Sequence, residues 1–120
     1  MIRLTPLTLV ILVIVALACN GTRTDVACTL EARAGINVTV VDSLSGREVA
    51  GSGIANEEAF ADTLESFEPG QLFGVFERPG TYDVTVTAPG YRPWRVTGVT
   101  VRADECHVIP ERLTARLQPS

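Results

Sequence analysis

Residues 77–91, Glu-Arg-Pro-Gly-Thr-Tyr-Asp-Val-Thr-Val-Thr-Ala-Pro-Gly-Tyr, carry the clearest pattern in the chain. Tyr82, Val84, Val86 and Ala88 share one parity, while Thr81, Asp83, Thr85 and Thr87 share the other. This period of two predicts a strand with one buried and one wet face. Pro79-Gly80 and Pro89-Gly90 frame it. In each pair a fixed φ precedes a residue tolerant of positive φ, which is the chemistry of a tight turn. The same alternation sets Ile36, Val38 and Val40 against Asn37, Thr39 and Val41 and predicts a first strand. Asp42 to Gly46 then turns the chain, with the Asp42 carboxylate accepting from amides ahead of it. Residues 49–55 read as a second strand diluted by Gly51 and Gly53.

Residues 56–68 admit two readings. Phe60, Leu64 and Phe67 have helical spacing after an Asn56 cap, with Pro69-Gly70 as a stop, yet a strand over 59–64 also fits. Residues 72–77 are expected to pair with the 81–88 strand through the Arg78-Pro79-Gly80 turn. Further on, Trp94 and Val96 have one parity and Val99 and Val101 the other, which predicts a bulge at Thr97-Gly98. Cys106 and Val108 precede Pro110, and Leu113, Ala115 and Leu117 follow it on the opposite parity, so Pro110 needs an edge or a bulge. The runs number about seven. They predict an all-β fold, a single antiparallel β-sandwich.

The first 18 residues have a different pattern. Arg3 precedes an apolar run from Leu7 to Ala18 broken only by Thr8, which predicts a signal peptide over 1–18. A spanning helix needs about 20 apolar residues, so a permanent anchor is the weaker reading. Two cleavages compete at the end of the leader. Ala16-Leu17-Ala18 is an ordinary signal-peptidase site, and Leu-Ala-Cys19 resembles a lipobox, in which Cys19 becomes the lipidated first residue. Residues 19–33 then form a polar tether, and 34–118 form the one domain that the length allows. All ten basic residues are arginine against fourteen acids, a net charge of -4 that gives no electrostatic support for nucleic acid.

The Glu-Arg-Pro-Gly-Thr-Tyr-x-Val-Thr-Val-x-Ala-x-Gly-Tyr run at 77–91 resembles the signature of carboxypeptidase regulatory-like domains. These are small β-sandwiches of transthyretin-like topology found in secreted and surface proteins. Residues 36–46 are similar to the family's first strand and turn. The segments Val99-Thr-Val-Arg and Cys106-His-Val resemble the closing strands of a bacterial lipoprotein-like branch. The resemblance implies a strand rather than a helix within 56–68, and a domain without catalysis of its own. The same fold includes a ureide hydrolase, but its several histidines and C-terminal Tyr-Arg-Gly-Ser are not matched, since this chain has one histidine and ends Ala-Arg-Leu-Gln-Pro-Ser.

Candidate chemistry is sparse. His107 is the only histidine; Cys106 and His107 on one strand would diverge, which argues against a shared metal ion, and no nucleophile elbow accompanies the imidazole. Glu57-Glu58 and Asp104-Glu105 read as solvated turn charge. Asn20-Gly-Thr and Asn37-Val-Thr match a glycosylation sequon that is silent in a bacterium. Tyr91, Arg92 and Trp94 offer a binding loop, with core packing as the rival role for Trp94. Three cysteines leave one over after pairing, and lipidation of Cys19 accounts for it. Cys28 with Cys106 is then the expected disulfide, with Cys19 to either of them as the rival pairings.

The sequence therefore predicts a non-catalytic lipoprotein of the cell envelope, held to the membrane by a lipid and acting as a binding or structural module. A protein or carbohydrate is its expected ligand, and no cofactor or metal is expected. The rivals are an accessory subunit of an envelope complex and a hydrolase using His107.

Overall fold

A computed structural model describes residues 27–120 of the chain. The expected signal peptide over residues 1–18, Cys19 and Asn20 lie outside the described residues. Eight strands are present and no helix: β1 Ile36–Asp42, β2 Ser52–Glu57, β3 Phe60–Glu68, β4 Gln71–Gly74, β5 Gly80–Thr87, β6 Trp94–Ala103, β7 Val108–Ile109 and β8 Glu111–Leu117. The fold is all-β. Its strands form one mixed sheet in the order β7-β6-β5-β2-β3-β4-β1-β8.

The expected antiparallel sandwich of about seven strands is corrected to one mixed sheet of eight whose last strand runs parallel to its neighbour, and the expected pairing of residues 72–77 with β5 is corrected as well. β8 lies parallel to β1 in continuous register from Ile36↔Glu111 to Asp42↔Leu117. The cause is local. Pro110 has no N–H to continue the β6–β7 ladder, so the chain leaves that edge and crosses to β1, where Glu111 N–H donates to the Gly35 carbonyl at 2.8 Å. The second correction concerns β4, which pairs with β1 and β3 and not with β5. Val75 and Glu77 adopt φ of 47° and 50°, the left-handed region, and this turns the chain away from a hairpin.

β3 makes the sheet curl. Residues 60–64 pair with β2, and Glu65 and Glu68 pair with β4 after a register shift, so one strand serves both halves of the sheet. A single core fills the space between those halves. The parity read from sequence holds there: Ile36, Val38 and Val40 of β1 and Tyr82, Val84 and Val86 of β5 are fully buried, joined by Ala115 and Leu117 of β8. The seam between β6 and β8 nearly closes at one end, where Arg92 N–H donates to the Gln118 carbonyl at 2.8 Å and Ser120 N–H to that of Gly90 at 3.0 Å.

Residues 60–68 of the ambiguous segment are strand and not helix. β2 and β3 meet through a two-residue loop at Glu58-Ala59, flanked by the pair Glu57↔Phe60. The bulge in β6 also lies where the parity change puts it. Tyr82 faces Val99 and Val84 faces Val96, leaving Thr97 and Gly98 opposite Asp83, with Gly98 at φ 71°.

Leu64 is the tightest point of the core. It packs between Gly53 and Gly74: a Cβ on Gly53 would come within 2.8 Å of Leu64 Cδ1, and one on Gly74 would overlap Leu64 Cδ2. Gly74→Ala should therefore destabilise the fold by about 1–3 kcal/mol through overpacking. Leu64→Ala alone should cost about 2–5 kcal/mol. In the double variant the Gly74 substitution should cost less than it does alone, because the nearest obstacle is gone and only Asp62 Oδ2, 3.1 Å from the new Cβ, remains close. Urea unfolding of the four proteins checks this, and strictly additive costs would contradict the packing described.

Candidate functional site

His107 sits at the centre of a polar cluster. The strand position expected for it is replaced by a turn over residues 104–107 before β7, and the ring is buried. Asp104 shapes that turn by accepting from the Cys106 and His107 amides at 2.8 and 2.9 Å. Both imidazole nitrogens have partners. Nδ1 bonds the Glu77 carboxylate, and Nε2 lies 2.8 Å from the Thr29 hydroxyl.

Glu77 is placed by its backbone as much as by its side chain. Its N–H donates to the Arg33 carbonyl at 3.0 Å, and its second carboxylate oxygen accepts from Val108 N–H at 2.8 Å. A non-glycine residue at φ 50° carries strain of roughly 1 kcal/mol or more, and these bonds offset it. The hydrogen bond from His107, and then that from Val108, hold the Glu77 carboxyl below its ordinary value.

The proton positions follow from these partners. A carboxylate on Nδ1 keeps a proton there, so in the neutral ring Nε2 accepts from the Thr29 hydroxyl. In the protonated ring Nε2–H donates to Thr29, whose hydroxyl then donates to Glu31 at 3.3 Å. Arg33 pairs with the same Glu31 oxygen at 3.0 Å. Thr29, His107 and Glu77 thus form a hydroxyl–imidazole–carboxylate line of the kind used in nucleophilic catalysis. Sequence reasoning missed both partners, which lie 78 and 30 residues from His107.

The disulfide lies beside this line. Cys28 and Cys106 are bonded, with Cα atoms 5.2 Å apart. Two consecutive residues of the tether therefore meet two consecutive residues of the domain, one pair covalently and the other by hydrogen bond. A loop of 78 residues corresponds in the chain-entropy model to about 4.5 kcal/mol of stabilisation as an upper figure. A cavity of about 440 Å³ opens here, lined by Thr29, Arg33, Asp104, Glu105, His107 and the disulfide. Among the described residues no three His, Cys, Asp or Glu side chains converge as metal ligands.

The expected binding loop divides. Tyr91 turns back to the fold, and its hydroxyl donates to Asp42 Oδ2 at 2.7 Å. Arg92 and Trp94 stay together in a second cavity of about 230 Å³, where Arg95, Arg116 and Gln118 join them. Trp94 is half-buried and packs against the core, with part of its surface left in the cavity. A third, apolar groove of about 340 Å³ lies over Phe67, Phe73, Phe76 and Pro110. The helical reading of 56–68 had grouped Phe67 with Leu64, and only the strand reading separates them, with Leu64 buried and Phe67 exposed.

The Tyr91 hydroxyl first, and then the Ser45 and Leu44 amides, lower the Asp42 carboxyl from 3.8 to about 2. A depressed folded-state value means that this contribution to stability is complete above the ordinary range and disappears as pH falls through about 2. Tyr91→Phe should raise the Asp42 value part of the way back towards 3.8, the two amides keeping the remainder. It should also move acid unfolding to higher pH. Carbon-detected NMR titration reads the first effect, and an unchanged Asp42 value would contradict the assignment.

No protein-family model matches this chain and no curated protein matches it, so the reading of these sites rests on their own geometry.

Proposed function

We propose that this protein is a lipid-anchored module of the cell envelope, a variant of the carboxypeptidase regulatory-like sandwich with transthyretin-like topology, that binds or spaces other components without chemistry of its own. The Cys28–Cys106 bond carries the reading. It accounts for two of three cysteines, it needs an oxidising compartment, and it leaves Cys19 at the end of Ala-Leu-Ala-Cys to take the lipid. Two acyl chains on one residue hold a protein on a membrane where one chain would do so only marginally. Eight residues separate Cys19 from Cys28, and a chain of that length spans at most about 30 Å. The strand that crosses between the halves of the curled sheet, together with the buried Tyr82, Val84 and Val86, supports the sandwich variant.

Within this reading the Thr29–His107–Glu77 line is a fastening. Its polar atoms are committed to joining the tether, the β4–β5 turn and the start of β7. Asp104 and Glu105 line the same cavity, and their negative charge opposes the oxyanion that acyl transfer would develop there. The line itself favours a second reading, a hydrolase in which Thr29 is the nucleophile, His107 the base and Glu77 the orienting acid.

The two readings part experimentally. The mature protein should have an intact mass corresponding to a chain that begins at lipidated Cys19. His107→Ala should lower its stability yet leave unchanged the set of components cross-linked to it in intact envelopes. A water-soluble product beginning at unmodified Cys19 would contradict the anchor. An ester- or amide-hydrolysing activity, lost in His107→Ala and in Thr29→Val with the fold preserved, would establish the hydrolase instead.

A further inference from the structure

The second cavity has the chemistry of an anion site. Arg92, Pro93, Trp94 and Arg95 enter it from the start of β6, and Arg116 and Gln118 enter from the end of β8. Three of the eight arginines in residues 27–120 line it, and none of the thirteen acids in the same residues does. Only Arg95 has a carboxylate partner, Asp83 at 3.2 Å; Arg92 and Arg116 form no ion pair among the described residues. Two of the three arginines at this cleft thus lack a counter-charge among the described residues, an added anion would offset them, and their planar forks match oxyanions in two-point contact. This occurs on a chain whose net charge is -4, so the cleft opposes the general sign of the protein.

The walls are held before any ligand arrives. The Arg92–Gln118 backbone bond and the Tyr91↔Pro119 bridge close the seam beneath the arginines, and the Tyr91–Asp42 bond fixes the residue before Arg92. Trp94 and Pro93 supply a flat apolar surface, and Gln118 supplies a neutral amide. An indole face, an amide and several guanidinium groups together fit a sugar ring that bears a charged oxygen group. At about 230 Å³ the cleft is smaller than a usual small-molecule pocket of roughly 300–1,000 Å³, which suits a single unit or a chain end.

We propose that this cleft binds an anionic saccharide, carrying carboxylate or sulfate, through Arg92, Arg95 and Arg116 with the ring against Trp94. The proposal rests on the binding-module reading and names the ligand class for it. Position agrees with it. Trp94 begins β6 and Ala103 ends it, so the cleft lies about 30 Å along that strand from the disulfide end at which the tether arrives.

Trp94 is the only tryptophan, so its emission reports the cleft directly. The full mature chain in non-ionic detergent is titrated with digalacturonate, a sulfated disaccharide, maltose, inorganic sulfate and phosphatidylglycerol vesicles. A saturable emission change is expected with an anionic disaccharide, weakened by salt and absent with maltose. Arg92→Ala and Arg116→Ala should each weaken binding about tenfold or more, and Arg102→Ala, outside the cleft, should not. Unchanged affinity in both cleft variants would overturn the site. An equal response to maltose would overturn the anionic class, and an equal response to inorganic sulfate would mean an adventitious ion only. Binding to vesicles alone would assign the arginines to a lipid surface and overturn the saccharide. Recovery of a cleaved disaccharide would instead overturn the non-catalytic module reading, a result separate from failure to bind.

Discussion

Glu77 joins three parts of the chain that are far apart in sequence. Its amide reaches the tether at Arg33, one carboxylate oxygen reaches His107, and the other reaches the first amide of β7. The residue occupies a backbone conformation that side chains ordinarily avoid, and Val75 two positions earlier does the same. Val75 is compensated differently, by near-complete burial and by an amide bond to Asp62 Oδ2 at 2.7 Å. These two residues turn the chain from β4 to β5. That turn in turn decides that β4 joins β1 and β3 while β5 joins β2 and β6.

Local patterns exposed β1 and β5 well because each has one buried face, whereas β3 buries Leu64 alone and its segment was ambiguous. The alternation in β1 and β5, the parity change at Gly98 and the Asx turn at Asp42 are all set by neighbours in sequence. Partnership between strands is not local. The β1–β8 pairing follows from where the chain goes after Pro110, and the absence of a β4–β5 hairpin follows from positive φ at Val75 and Glu77, which have no glycine to announce them. The candidate site was legible in the same uneven way. Cysteine number pointed to the Cys28–Cys106 bond, and Arg92 and Trp94 stood out by type. Thr29 and Glu77 carried no signal beside His107 in sequence, since only the closed fold brings residues 29, 77 and 107 together.

The two sites lie at the two ends of β6 and have opposite character. At its end the strand leads into the turn that carries the disulfide and the His107 cluster, where acids line the cavity and polar atoms are committed to each other. At its start it carries Arg92, Trp94 and Arg95 beside Arg116, where positive charge gathers without equal compensation. The hydrophobic core between them is continuous and contains no unsatisfied buried side-chain polar group among the described residues. Saturated partners are what the proposed fastening requires, and unsaturated ones are what the proposed binding cleft requires. The distribution of hydrogen bonds and ion pairs divides the molecule along that line.

The central claim is that the Cys28–Cys106 bond and the Glu77–His107 contact act as one fastening. Residue-resolved hydrogen exchange on the oxidised protein and on Cys28→Ser/Cys106→Ser tests it most directly. The account predicts that the Val108 and Glu77 amides, bonded to Glu77 Oε1 and to the Arg33 carbonyl, lose most of their protection in the variant while the β5 amides keep theirs. Val108 and Glu77 amides as protected without the disulfide as with it would contradict the account.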